Sequence, residues 1–211
     1  MLKVALTGGI ATGKSYVLER FRRRGVPCLD ADELAHGVTA AGTEATAAVA
    51  ERFGADILAA DGSVDRRKLG AIVFADAAAR RDLEVIVHPA VYRAIAAGIR
   101  GFEKVGDGPF AIVDIPLLFE TGAQKDFDRV IVTDCPPAVQ LVRLVERGLT
   151  ADAARRRLDA QWPAEKKIAG ADFVIKTDGT FDQTDRQVDN AFSTLQGGLT
   201  QRTQGTPRDT E

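Results

Sequence analysis

Near its start the chain reads Leu2-Lys3-Val4-Ala5-Leu6-Thr7 and runs directly into Gly8-Gly9-Ile10-Ala11-Thr12-Gly13-Lys14-Ser15. An apolar run therefore ends in the spacing G-x-x-x-x-G-K-[ST], and an amphipathic helical stretch, Tyr16 to Arg24, follows at once. Few local patterns restrict a fold so tightly. Strand, loop and helix must succeed one another so that backbone N–H groups and the positive helix end converge on phosphate oxygens. Gly8 and Gly13 supply the freedom for the curl. Lys14 follows the charge on the β- and γ-phosphates, and the Ser15 hydroxyl suits Mg²⁺. Gly8, Gly9, Ile10, Ala11, Thr12, Gly13, Lys14, Ser15 and Tyr16 are thus expected to hold a nucleoside triphosphate.

Further apolar runs at Val26–Leu29, Phe110–Ile115, Arg129–Thr133 and Phe173–Ile175 read as buried strands beside Val4–Leu6. Continuous apolar strands separated by helices argue for a parallel sheet covered on both faces, a three-layer α/β/α fold of the phosphate-loop NTPase type. The interval Glu33–Val105 is too long for a simple crossover. It carries helical patterns at Glu44–Phe53, Arg66–Phe74 and Ala77–Arg100, punctuated by Gly54 and Asp61-Gly62. Pro89 is expected to end one helix and open another. Pro137–Lys167 is helical and arginine-rich, with Arg143, Arg147, Arg155, Arg156 and Arg157, as a lid over a polyphosphate would be. The expected organisation is core at 1–34, 108–136 and 168–196, a helical substrate lobe at 35–107, a lid at 137–167 and a mobile tail at 197–211.

Composition narrows the function classes. The 211 residues carry a net charge of −2, which gives no support for a large nucleic-acid surface. No apolar stretch approaches the roughly 20 residues that span a bilayer, so no membrane insertion is expected. Cys28 and Cys135 are the only cysteines, which points to a reducing intracellular setting, the cytoplasm. With two histidines and no cysteine cluster, a transition-metal site has little basis.

Asp30 and Asp32 flank Ala31 at a strand end, where open α/β sheets bind ligands. Asp32 is the candidate to orient a substrate hydroxyl and accept its proton, while Asp30 orients the site or reaches Mg²⁺. The alternative makes Asp30 a polar strand end and Asp32 the cap of a helix Glu33–Val38. Asp114, near the end of another strand, either holds the water shell of Mg²⁺ or caps backbone groups. His88, before Pro89, is a ligand contact or a structural histidine.

Taken together, Leu6–Ser15, Asp30-Ala31-Asp32, Leu83–Pro89, Pro116-Leu117-Leu118-Phe119-Glu120, Gln140–Arg147 and Ala160-Gln161 through Lys166 to Ala171-Asp172 resemble the dephospho-CoA kinase family over about residues 1–195. The resemblance implies ATP-dependent phosphorylation of the ribose 3′-hydroxyl of dephospho-CoA, a five-stranded core, a helical CoA-binding lobe and a closing lid. It makes Asp32 the base, Lys14 and Arg143 its partners in phosphoryl transfer, and Arg147 and Lys176 further ATP contacts. Thr7, Asp30, Asp32, His88 and Leu117 fall on the substrate side, and Ser15 with Asp30 or Asp114 through water on the Mg²⁺ side. Dephospho-CoA and ATP are the implied partners, with no obligatory protein partner.

The chain departs from the family pattern at several places. Family loops read GGIGSGKST, whereas Ala11, Thr12 and Tyr16 stand here; His36 replaces an arginine, Ala41 a proline, and Lys176-Thr177 an Asp-Asn pair. Other small-molecule kinases of this fold share the loop and lid without the combined His-Pro, PLLFE and late glutamine-arginine patterns. A non-catalytic nucleotide switch would bind ATP without turning over an alcohol.

Overall fold

The computed structural model describes residues 1–106 and 108–202, the last five as backbone. Five strands form one sheet in the order β2-β3-β1-β4-β5: β1 Leu2–Gly8, β2 Cys28–Asp30, β3 Phe110–Asp114, β4 Arg129–Asp134 and β5 Phe173–Lys176. The β1–β3, β1–β4 and β4–β5 pairs are parallel, with Leu6 beside Asp114, Gly8 beside Thr133 and Asp134 beside Lys176. This register gathers the polar C-terminal residues of the central strands at one edge. The chain divides into two compact units, one of Met1–Cys28 with residues from Phe102 onward, the other Leu29–Gly101.

In the first unit, α1 (Lys14–Arg22) and α9 (Phe181–Arg202) cover the sheet. Val17, Leu18 and Phe21 of α1 and Val188, Ala191 and Leu195 of α9 pack on Val4, Leu6, Ile112 and Ile131. The helices α6 (Pro137–Glu146) and α7 (Ala151–Asp159) form a smaller core with the loop itself, in which Leu144 and Ala154 are buried against Ala11. A short helix α8 (Ala164–Ala169) packs near β4. Its Lys167 is 2% exposed and lies 2.7 Å from Glu120.

The second unit is helical: α2 Ala31–Val38, α3 Glu44–Phe53, α4 Arg66–Ala75 and α5 Ala77–Val105, which continues into the first unit. Val49, Ile57, Val64 and Leu69 make its core. Thr43 and Asp65 cap α3 and α4 by accepting backbone N–H groups. The sequence reading starts this lobe at 35; the compact unit starts at 29, because α2 begins on the residue after β2.

Three expectations are corrected. Pro89 does not divide α5, which runs unbroken for 29 residues. Proline removes one N–H, but Ala90 and Val91 directly after it are buried, as are Ile95 and Ile99 on the following turns, and the helix carries through. The last element does not stop at 196: α9 extends to Arg202; residues 203–211 lie outside the described residues. The cap of α2 is Asp30, which accepts from the N–H groups of Asp32 and Glu33, and not Asp32. Among the described residues no helix is long and apolar enough to cross a membrane.

Candidate active site

The phosphate loop is a chain of backbone constraints. Gly13 takes φ 85° as the residue before α1, a conformation open to glycine. Ala11 holds φ 59°, the only non-glycine residue with positive φ among the described residues, at a cost of about 1 kcal/mol. Gly8 is required for another reason. A Cβ there would lie 2.7 Å from both the Thr133 carbonyl oxygen and the Thr12 hydroxyl.

Side chains from elsewhere hold the loop's main chain, three of them at its carbonyls and Gln161 at an N–H. Gln140 Nε2 donates to the Ile10 carbonyl at 2.7 Å, while Gln161 Oε1 accepts the Ile10 N–H at 2.8 Å. Arg143 donates to the Ala11 carbonyl at 3.0 Å and to that of Thr177 at 2.5 Å. The Thr177 hydroxyl donates to the Thr12 carbonyl at 2.7 Å, and the Thr12 hydroxyl to the Gly9 carbonyl at 2.7 Å. Carbonyl and N–H point opposite ways along a peptide, so carbonyls fixed from behind favour N–H groups turned toward a bound anion.

At the edge of β3, Asp114 is 4% exposed and its carboxylate meets Lys14 Nζ at 2.5 Å. Ser15 is exposed beside it in sequence, in the first turn of α1. A hydroxyl and a carboxylate are hard oxygen donors of the kind Mg²⁺ takes alongside water and phosphate, so this pair fits that ion without a larger protein cage. Lys176 pairs with Asp134, and that hydrogen bond raises its pKa above the usual lysine value.

Three cavities adjoin the loop, and one of about 650 Å³ meets it at Gly9 and Thr12, beside Gln140, Gln161 and Lys176. A second, of about 400 Å³, is lined by Gly8 to Tyr16 with Pro116, Arg147 and Gln161. The third, of about 510 Å³, is lined by Gly13, Tyr16, Arg143, Arg147, Thr177, Thr180 and Phe181, among others. Arg147 borders the second and the third. Arg143 borders only the third, and its guanidinium is engaged with main-chain carbonyls.

Other predicted residues separate by unit. Thr7 is fully buried in β1 with its hydroxyl donating to the Pro116 carbonyl at 3.3 Å, and has no surface to offer a substrate. Leu117 is half-exposed. Asp30, Asp32 and His88 belong to the helical unit. Asp32 is exposed at the start of α2, and its charge acts on the Arg66 guanidinium, whose pKa desolvation lowers. Arg66, His88, Thr39 and Glu84 border a cavity of about 250 Å³ floored by Leu69, Leu83 and Val87. Gln140, Gln161 and Thr177 received no role from the sequence, although the two glutamines stand inside quoted motifs; two amide side chains bracketing arginines in a charged segment were the available signal.

The comparisons agree with this geometry. The family model described as CoaE, dephospho-CoA kinase, matches residues 2–183. A dephospho-CoA kinase of Cutibacterium acnes is 44% identical over 201 residues, covering 94% of this chain and 87% of the relative. That of Anaeromyxobacter dehalogenans is 43% identical over 208 residues, covering 98% of each. Among solved structures, TT1252 from Thermus thermophilus superposes with a TM-score of 0.79 at 29% identity, over 92% of this chain and 97% of the other. Dephospho-CoA kinase from Campylobacter jejuni gives 0.70 at 29% identity, over 93% and 98%. With a family model spanning nearly the whole described chain, and with the loop, its lysine and its acidic partner in place, the chain belongs to the dephospho-CoA kinase family.

Proposed function

We propose that this kinase transfers the γ-phosphoryl group of ATP to the ribose 3′-hydroxyl of dephospho-CoA, giving coenzyme A and ADP. The observation that carries the reading is the phosphate loop with its carbonyls held from behind and Lys14 set against Asp114. In the reaction the 3′-oxygen bonds to Pγ as the bond from Pγ to the β–γ bridging oxygen breaks. The hydroxyl proton passes to the Asp32 carboxylate, and the charge left on ADP is met by Lys14 and the loop N–H groups. Arg147, bordering the loop cavity, supplies a further cation to the phosphates, and Arg143 holds the loop that presents them. Ser15, with Asp114 through water, would hold Mg²⁺, which neutralises phosphate charge when bound. Asp30, as cap of α2, fixes the backbone from which Asp32 projects. His88 and Leu117 are assigned to the substrate side. The setting is the cytoplasm, and both cysteines are free thiols.

The purified protein with ATP, Mg²⁺ and dephospho-CoA should give a product bearing a 3′-phosphate, read by mass spectrometry and phosphorus NMR. ATP consumption without that product would overturn the assignment of the acceptor.

A further inference from the structure

The cavity of about 510 Å³ beside the loop has a wall that the phosphate chemistry does not use. Tyr16 and Phe181 lie with ring centroids 4.8 Å apart, tilted by 33°. Phe181, the first residue of α9, is 70% exposed, a large ring left in water where a polar residue would serve a bare helix end equally well. Tyr16 is held from behind. Its hydroxyl donates to Asp185 at 2.9 Å, Asp185 pairs with Arg20, and the Arg20 guanidinium lies 5.6 Å from the Tyr16 ring centre. An anchored ring next to the phosphate loop is a surface on which a flat base can lie.

Several polar groups around the same cavity are turned to other partners. The Thr177 hydroxyl donates to the Thr12 carbonyl and its N–H to the Asp134 carbonyl. The Thr184 hydroxyl donates to the Thr180 carbonyl at 3.3 Å. The Thr180 N–H goes to Gln183 Oε1, and its hydroxyl oxygen accepts the Gln183 N–H. A site that reads a base by fixed donors and acceptors rejects the wrong base strongly; a π surface does not, since every base has a face.

We propose that this chain selects its phosphoryl donor by stacking the base on the Tyr16–Phe181 wall, so that guanine is accepted alongside adenine. This rests on the reading of the loop as the donor site. It makes Tyr16, where the family carries a compact threonine, a specificity-determining residue of this chain.

Calorimetric titration with ADP and GDP, without acceptor, tests it. The expected result is affinities within about tenfold of each other. Phe181→Ala, at an exposed position, should weaken both nucleotides by about tenfold, Phe181→Trp should restore them, and the KM for dephospho-CoA should not move. Tyr16→Thr should weaken both in parallel. ADP bound with GDP rejected by a hundredfold or more, or a Phe181→Ala protein that binds both normally, would overturn the stacking proposal while leaving the donor site in place. An unaltered chain that binds neither nucleotide would overturn the donor reading and the proposal with it.

Discussion

Lys14 and Asp114 show how one contact serves both the folded protein and its chemistry. The Lys14 ammonium lies 2.5 Å from a carboxylate that is almost buried, so Lys14→Ala removes a charge that both the phosphates and Asp114 use. Turnover should fall well over tenfold, and the melting temperature should fall as well. In the double variant Lys14→Ala/Asp114→Asn, thermal stability should recover while turnover does not; steady-state kinetics and a melting scan on the three proteins separate the two roles. Asp32→Asn is the contrasting case, because Asp32 is exposed and Asp30 makes the cap. Asparagine keeps the size but cannot take the hydroxyl proton. ADP affinity should stay within twofold while single-turnover transfer slows by a hundredfold or more; normal transfer would remove Asp32 from the chemistry. Gly8 was legible as an obligatory glycine, but its reason was not: the constraint is Thr133 on the neighbouring strand, and strand neighbours cannot be read from a local motif.

Among the elements, the strands and the helices α1, α3 and α4 were legible to within two residues at each end, because burial writes apolar runs and stripes, whereas α5 runs five residues past its expected end and α9 was not expected. What escaped was set by contacts remote in sequence. Pro89 looked like a boundary, yet α5 runs through it with Ala90 and Val91 buried just beyond, and the start of α2 was fixed by a two-residue side-chain turn at Asp30. Arg143 was read for its charge, whereas its planar fork is used on two carbonyls. Arg143→Lys should therefore fail to rescue Arg143→Ala, since an ammonium cannot span both acceptors. Each variant should lower ADP affinity about tenfold by calorimetry and leave the KM for dephospho-CoA unchanged. A lysine variant with full affinity would return Arg143 to a purely electrostatic role.

At the scale of the whole molecule, alkaline stability should carry the mark of the two thiols, since burial raises the pKa of Cys135 as well as that of Cys28. Cys28 packs on the main core, and burial pushes its pKa from 9.0 up to about 11, only partly offset by the nearby Arg22. The folded state therefore keeps a proton that the unfolded chain releases near pH 9, so stability is full below that pH and falls as pH rises toward 11, by up to about 2 kcal/mol. Denaturant titrations at pH 8 and 10.5 should show this loss, and Cys28→Ala should reduce it, leaving the part that Cys135 contributes; an equal loss in the variant would assign the slope to other groups. Nucleotide should act in the opposite direction, since ADP at a hundred times its Kd adds about 2.7 kcal/mol to the folded state. The carbonyls held behind the phosphate loop bear on how such a sequence can change. Gln140, Arg143, Gln161 and Thr177 lie as many as 165 positions from the loop residues they bond. A substitution at any of them is felt in the loop, and a transplant of residues 2–15 into another α/β scaffold would carry the motif without the contacts that shape it. Such a transplant should bind ADP more weakly than this chain does unless Gln140, Arg143, Gln161 and Thr177 are carried over with it.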